Sequence, residues 1–206
     1  MRIGVLGSGQ VGGGMARKLA SLGHDVMMGS RNAASKAADF PDIKLGTTTE
    51  AAAHGDWVVN ALPGETALRL LGQCDIAGKI LIDIGNYDSA VDQPIAKPLG
   101  QAIQETYPDT RVVKTLNSVS AHLMVDPGNL PQTHAVFIAA NDDAAKREVI
   151  DLLESFGWQD IIDLGDLTAC RAMEQLIPLW MSLEQKFGGP QFNLAIVRGQ
   201  DARQSD

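Results

Sequence analysis

The segment that most constrains this chain is Gly7-Ser8-Gly9-Gln10-Val11-Gly12. It follows Ile3-Gly4-Val5-Leu6, a short apolar run that reads as a buried parallel strand. It precedes Val11, Met15, Ala16, Leu19, Ala20 and Leu22, which recur at helical spacing until Gly23. The order strand, glycine loop, helix gives each glycine a task. Gly7 permits the tight turn, Gly9 lets the backbone approach a pyrophosphate, and Gly12 lets the helix pack close to the strand; the helix N-terminus then offers free N–H groups and a positive dipole end to an anion. A glycine-rich turn that binds nothing is the plainer alternative, and the flanking strand and helix weigh against it. Gly13 and Gly14 exceed the motif, and each costs about 1 kcal/mol of helix propensity against alanine. A close approach by a ligand or another chain segment is expected there.

The second strand, Asp25-Val26-Met27-Met28-Gly29, runs into Ser30-Arg31-Asn32. At the corresponding strand end an Asp or Glu accepts hydrogen bonds from the ribose 2′-OH of NAD, whereas an Arg accommodates the 2′-phosphate of NADP. This chain has no acidic residue there. Gly29 leaves room, Ser30 and Asn32 can donate, and Arg31 offers a planar fork to phosphate oxygens. Lys36, one helical turn on, adds a point charge. The reading is NADP(H), the alternative being a solvated Arg31 with Ser30 as a helix cap.

Further along, the spacing predicts a short helix over Ala33 to Phe40, ended before Pro41, a short strand near Ile43 to Leu45, and a capping box from Thr47 to Glu50 ahead of an Ala-rich helix. His54 reads as a residue of that helix's end rather than a base. Trp57 to Leu62 is the fourth strand, and Lys79 to Ile84 the fifth. Ligands in open α/β sheets sit beyond the carboxyl ends of the strands, so Asn60, Ala61, Leu62, Pro63 and Asn86 are expected to flank the cofactor, with ordinary turn chemistry as the alternative. Residues 86–100 read as a loop over the crevice. Arg111 to Leu116 is a sixth strand ending at Asn117-Ser118-Val119-Ser120, polar groups placed to bind a nicotinamide carboxamide or a substrate, or else to cap a helix. His134 to Ala140, an amphipathic helix over Asp142 to Phe156, and Ile161 to Leu164 complete the sheet.

The last part changes character. Leu167 to Phe187 reads as one long helix, apolar around more than half its circumference and kinked at Pro178. A helix that apolar must bury much of its surface on its own core or a partner's, which favours a homodimer through this C-terminal helix. Gly188-Gly189-Pro190 ends it, Phe192 to Val197 is expected to dock, and residues 200–206 to fray. The fold class expected is α/β, a Rossmann-type doubly wound parallel sheet over residues 1–165 with a small C-terminal helical part over 166–206.

Composition narrows the partners. A net charge of −8 over 206 residues argues against nucleic acid or an anionic membrane surface. Cys74 and Cys170 stand far apart without a metal-ligand spacing, which fits no metal and a reducing compartment. No apolar run reaches the length of a spanning helix and the start lacks a signal-peptide layout, so a cytoplasmic protein is expected.

Four stretches together resemble a known family: Gly7 to Gly12 with Gly29-Ser30-Arg31; Asn60-Ala61-Leu62-Pro63; Val112 to Ala121; and Leu167 to Gly199 with Arg171, Glu174, Pro178 and Gly188. The chain is similar, nearly end to end, to the NADPH-dependent oxidoreductases typified by an archaeal enzyme that passes hydride between NADP and the deazaflavin coenzyme F-420, and to the N-terminal domains of the Steap ferric reductases. The resemblance implies a homodimer, phosphates on the glycine loop, the 2′-phosphate on Ser30 and Arg31, and the nicotinamide near Ala61-Leu62-Pro63. The chain departs from the archaeal enzyme at Gly64-Glu65-Thr66 and Asn117, on the acceptor side.

Hydride transfer between a nicotinamide and a flavin or deazaflavin needs alignment and exclusion of water more than a strong acid or base, so no catalytic residue is assigned. A carbonyl or imine acceptor would call for a Lys, Asp or His donor in the crevice, and none is evident. A non-catalytic NADPH-binding sensor or regulatory protein is the other reading.

Overall fold

A computed structural model describes residues 1–88 and 96–199. The sheet has eight strands: β1 (Arg2–Leu6), β2 (Asp25–Gly29), β3 (Lys44–Gly46), β4 (Trp57–Asn60), β5 (Ile80–Asp83), β6 (Arg111–Thr115), β7 (Ala135–Ala140) and β8 (Asp160–Asp163), in the order β3-β2-β1-β4-β5-β6-β7-β8. From β1 the chain builds outward through β2 and β3, then returns to add β4 on the other side of β1. That reversal opens a crevice at the carboxyl ends of β1 and β4, where such folds hold ligands.

The helices are α1 (Gln10–Ser21), α2 (Ala33–Lys36), α3 (Thr48–His54), α4 (Gly64–Leu71), α5 (Leu99–Thr106), α6 (Ala121–Val125), α7 (Asp143–Phe156), α8 (Cys170–Gln175) and α9 (Ile177–Phe187). Met15 and Leu19 of α1, Leu123 of α6 and Val149 and Leu153 of α7 bury against one face of the sheet. Ala51 and Ala52 of α3, Ala67 and Leu71 of α4, and Leu99 and Ile103 of α5 bury against the other. The capping box forms as expected: Glu50 N donates to Thr47 Oγ1 at 3.2 Å, and Thr47 N to Glu50 Oε2 at 2.7 Å. Asp142 caps α7 by accepting from Ala145 N at 2.9 Å.

Two features differ from the expectation. The sheet is not wholly parallel, because β7 runs antiparallel to β6 and β8 then lies parallel to β7. The connection after β6 holds only α6 and a 3-10 turn at Pro127–Asn129. Five residues of α-helix rise about 7.5 Å, whereas a five-residue strand spans about 17 Å. Neither element runs back along the length of β6, and β7 pairs antiparallel with β6 from the end at which β6 stops. α7, at about 21 Å, does carry it back.

The long terminal helix is broken rather than kinked. A 3-10 turn at Leu167–Ala169 leads into α8, Leu176 separates α8 from α9, and Pro178 occupies the first turn of α9, where its missing N–H is not needed. None of the residues of α9 is buried; Leu179 is 50% and Phe187 64% exposed. Of the following segment, Phe192 to Leu194 docks: Ala135 N donates to Leu194 O at 2.8 Å, and the Phe192 ring meets Trp180 at 5.6 Å. Ile196 and Val197 are exposed. The middle of the loop expected over the crevice, residues 89–95, lies outside the described residues, as does the tail from 200.

Candidate functional site

The glycine loop forms at the carboxyl end of β1. Gly7 adopts φ +115°, and a Cβ there would lie 2.6 Å from Ala61 O. A Cβ on Gly12 would lie 2.0 Å from Gly7 O, so helix and strand touch through that position. Around Gly9 the opposite holds: nothing comes within 4 Å of where a Cβ would stand. Gly9 is also the N-cap of α1, with no side-chain cap and no acidic residue in the first turn, which leaves the N-terminal N–H groups facing open space. The excess glycines resolve separately. Gly13 makes way for the Phe40 ring, which a Cβ would approach to 2.8 Å, while Gly14 has only Ala121 O at 4.0 Å. An open cleft of about 730 Å³ runs from Ser8, Gly9 and Gln10 between Lys36 and Phe40 on one side and His122 on the other.

At the end of β2, Gly29 packs so closely on α3 that a Cβ would lie 2.8 Å from Thr48 Cα. Ser30 is buried, and its Oγ accepts from Ser8 Oγ at 2.8 Å and from Asn32 N at 3.3 Å. The glycine loop and the β2 end are thus tied through two hydroxyls. Arg31 and Asn32 are exposed beside them, and Arg31 makes no hydrogen bond or ion pair among the described residues. Lys36 pairs with Asp39 at 3.1 Å on the surface.

Across the crevice, β4, β5 and β6 end on a buried polar network. The Asn60 side chain is fully enclosed: Nδ2 donates to Asp83 Oδ1 at 2.8 Å and Oδ1 accepts from Leu62 N at 3.3 Å. It shapes the turn from within. Ala61 and Pro63 reach the surface to differing degrees while Leu62 is buried. The Lys114 ammonium, 0% exposed, lies 2.9 Å from Asp83 Oδ2 and 3.1 Å from Glu174 Oε1, and donates to Gly85 O at 2.5 Å. Burial works against its charge, but the Asp83 and Glu174 carboxylates outweigh that and raise its pKa. Glu174, from α8, also accepts from Leu99 N at 2.8 Å and Gly100 N at 3.2 Å, at the start of α5. Burial pushes the adjoining Cys170 thiol up to about 12.

Beside this network two amides pair. Asn86 Nδ2 donates to Asn117 O at 2.7 Å, and Asn117 Nδ2 donates to Asn86 Oδ1 at 3.0 Å and Met173 O at 2.9 Å. Because Met173 O only accepts, the nitrogen of the Asn117 amide must face it, which fixes the amide's orientation. Asn117 Oδ1 is then left buried with no partner among the described residues. Ser120, for which capping was the alternative reading, stands at the N-cap of α6 without a side-chain cap bond and donates to Pro190 O at 2.7 Å.

The predicted residues therefore gather on two sides of the switch point: Gly7 to Gly12 with Ser30, Arg31, Asn32 and Lys36 on one, and Ala61, Leu62, Pro63, Asn86 and Asn117 on the other. Asn60 stands behind the second group. Asp83 and the placement of Lys114 and Glu174 against it were missed, although a lysine in the middle of an apolar strand signals a buried carboxylate partner. A pyrophosphate fits the uncapped α1 terminus with the space around Gly9, a 2′-phosphate fits the Ser30-Arg31 corner, and an N–H donor fits Asn117 Oδ1.

The chain matches, over residues 2–87, the family model described as "NADP oxidoreductase coenzyme F420-dependent". It is 30% identical over 211 residues to the "F420-dependent NADP reductase" of Methanocaldococcus jannaschii, covering 91% of this chain and 94% of that protein. A solved protein from Arthrobacter sp. FB24, carrying the provisional name "f420 dependent nadp-reductase", superposes with a TM-score of 0.89 at 42% identity over 96% of this chain and 100% of that one. The "Metalloreductase STEAP3" of Rattus norvegicus is 29% identical over 185 residues, and the chain spans only 38% of that protein's length. No helix among the described residues is long and apolar enough to cross a membrane.

Proposed function

Because this chain belongs to the family of coenzyme F-420-dependent NADP oxidoreductases and is an NADP-dependent oxidoreductase, we propose that it transfers hydride between NADPH and a flavin or deazaflavin acceptor of the F-420 type. NADPH supplies the hydride from its nicotinamide ring, and the acceptor takes up that hydride with a proton from solvent. The Gly7 to Gly12 loop and the α1 N-terminus hold the pyrophosphate, and Ser30, Arg31, Asn32 and Lys36 hold the 2′-phosphate. Ala61, Leu62, Pro63, Asn86 and Asn117, with Asn60 behind them, shape the nicotinamide side. The part from residue 166 onward supplies the acceptor side.

The observation that carries hydride transfer to a redox ring, rather than to a carbonyl or imine, is the state of the ionisable groups nearest the β5 and β6 ends. Asp83, Lys114 and Glu174 are buried and paired with one another, so none is free to give a proton to a substrate. A ring acceptor needs alignment for the hydride and takes its proton at a ring nitrogen from solvent, so no buried donor is required. We further propose a cytoplasmic homodimer in which a second copy covers the exposed apolar side chains Leu179 and Phe187 of α9; sedimentation of the protein as a monomer would count against it. The function is tested by following NADPH oxidation with the F-420 deazaflavin, FMN, FAD and ferric chelates in turn. Turnover with a deazaflavin or flavin is expected; tight NADPH binding without turnover on any acceptor would instead favour a sensor.

A further inference from the structure

Lys114 lies near the carboxyl end of β6, wholly shielded from solvent. Its ammonium meets one acceptor on each of three segments: Asp83 Oδ2 at the end of β5 at 2.9 Å, Gly85 O in the turn that follows at 2.5 Å, and Glu174 Oε1 of α8 at 3.1 Å. Three donors meet three acceptors, so the head group is fully used. Asp83 extends its reach. The second oxygen, Oδ1, accepts from Gly85 N at 3.1 Å and from Asn60 Nδ2 at 2.8 Å, and Asn60 Oδ1 in turn accepts from Leu62 N at 3.3 Å. Gly85 is thereby held at both its N–H and its carbonyl, and the turn after β4 is held from the same carboxylate.

Stability alone does not call for a charge at this place. Buried ions give up their hydration, and well-packed apolar side chains of similar volume commonly serve a fold as well. What an apolar plug cannot do is hold a carbonyl oxygen at a fixed point. The turns held here, Leu62-Pro63 after β4 and Gly85-Asn86 after β5, are those assigned above to the nicotinamide side. Resting on the NADP reading, we propose that Lys114 is a positioning residue for hydride transfer: it fixes these two turns, and through them the pose of the nicotinamide ring, without touching the cofactor. Misplacing reacting atoms by about 1 Å costs about a hundredfold in rate. Binding, which rests largely on the phosphates, depends far less on that pose.

The test uses the triple variant Asp83→Asn/Lys114→Met/Glu174→Gln, which removes the three charges together and so leaves none unpaired. NADPH affinity by calorimetry should stay within about threefold of wild type, because the phosphate contacts are untouched. The brightened, blue-shifted emission of a reduced nicotinamide held in a rigid site should revert towards that of free NADPH. Turnover of the F-420 deazaflavin at saturating NADPH should fall about a hundredfold. Asp142→Ala, which loses a helix cap at the opposite end of β6, should keep the wild-type emission. Wild-type emission from the folded triple variant overturns the assignment while leaving the NADP reading intact, and so does NADPH that emits on the wild type as it does when free. Should the triple variant not fold, amide exchange in the wild type decides: the Gly85 N–H, held by Asp83 Oδ1, should exchange slowly, and exchange at the rate of an open loop overturns the assignment. Failure of NADPH to bind the wild type overturns both.

Discussion

The Lys114 Nζ lies 2.9 Å from Asp83 Oδ2, and both side chains are entirely shielded from solvent. The pair ties β6 to β5, and through Glu174 Oε1 at 3.1 Å it also ties α8 to the sheet. Lys114→Met keeps the volume but leaves two buried carboxylates with one cation fewer. It should destabilise the protein by about 3 to 5 kcal/mol, read by urea denaturation, and Asp83→Asn in the same chain should restore part of that loss. An unchanged denaturation midpoint would mean that the network contributes no stability.

The same pair sets an alkaline limit. The Lys114 pKa is raised in the folded protein above its ordinary value of 10.5, so its contribution is complete below that value and is lost as pH rises through the folded pKa. Wild-type stability should fall above about pH 10.5 more steeply than that of Lys114→Met. Denaturation curves at several alkaline pH values check this.

Asp142 gives the matching acid prediction. The Arg111 guanidinium, with the Ala145 N–H, holds its carboxyl down to about 2. Its contribution is therefore full above its ordinary value of 3.8 and is lost as pH falls towards about 2. Asp142→Ala should cost about 0.5 to 2 kcal/mol at neutral pH and flatten the acid limb of the stability curve. Thermal melts from pH 5 to pH 2 would reveal an unflattened limb if the cap were idle.

Cys170 is 0% exposed, with a thiol pushed up to about 12 by burial, whereas Cys74 is half-buried. Alkylation near neutral pH should modify Cys170 only when the chain unfolds, and Cys74 sooner. Mass spectrometry of labelled peptides reads this directly; rapid native labelling of Cys170 would mean that α8 opens easily.

On the proposed reading, Arg31 selects NADPH over NADH. Arg31→Ala should weaken NADPH binding by about 1.5 to 3 kcal/mol and leave NADH binding nearly unchanged. Calorimetric titration with both nucleotides checks it, and equal loss for both would make Arg31 a structural residue.

What could be read beforehand followed local rules. The strand, glycine loop and helix order and the Thr47 capping box each need only neighbours in sequence, and both take their expected form in the fold. The antiparallel β7 follows a connection without a helix long enough to run back along β6, and strand direction is not something periodicity reports. The break before α9 depended on Pro178 finding a place in a first helical turn rather than an interior one. Asn60 pointed inward because Asp83, 23 residues later, supplied its partner; no local pattern links the two. The Asn117 oxygen depended on three segments meeting, one of them α8.

The claim that hydride passes directly from NADPH to a ring acceptor is tested most directly with NADPH carrying deuterium at the transferable nicotinamide position and the F-420 deazaflavin as acceptor, whose reduced ring carbon does not exchange with water. The account predicts that NADPH is oxidised and that the deuterium is found on the deazaflavin ring. Deuterium released to water, or no oxidation while NADPH remains tightly bound, would contradict it.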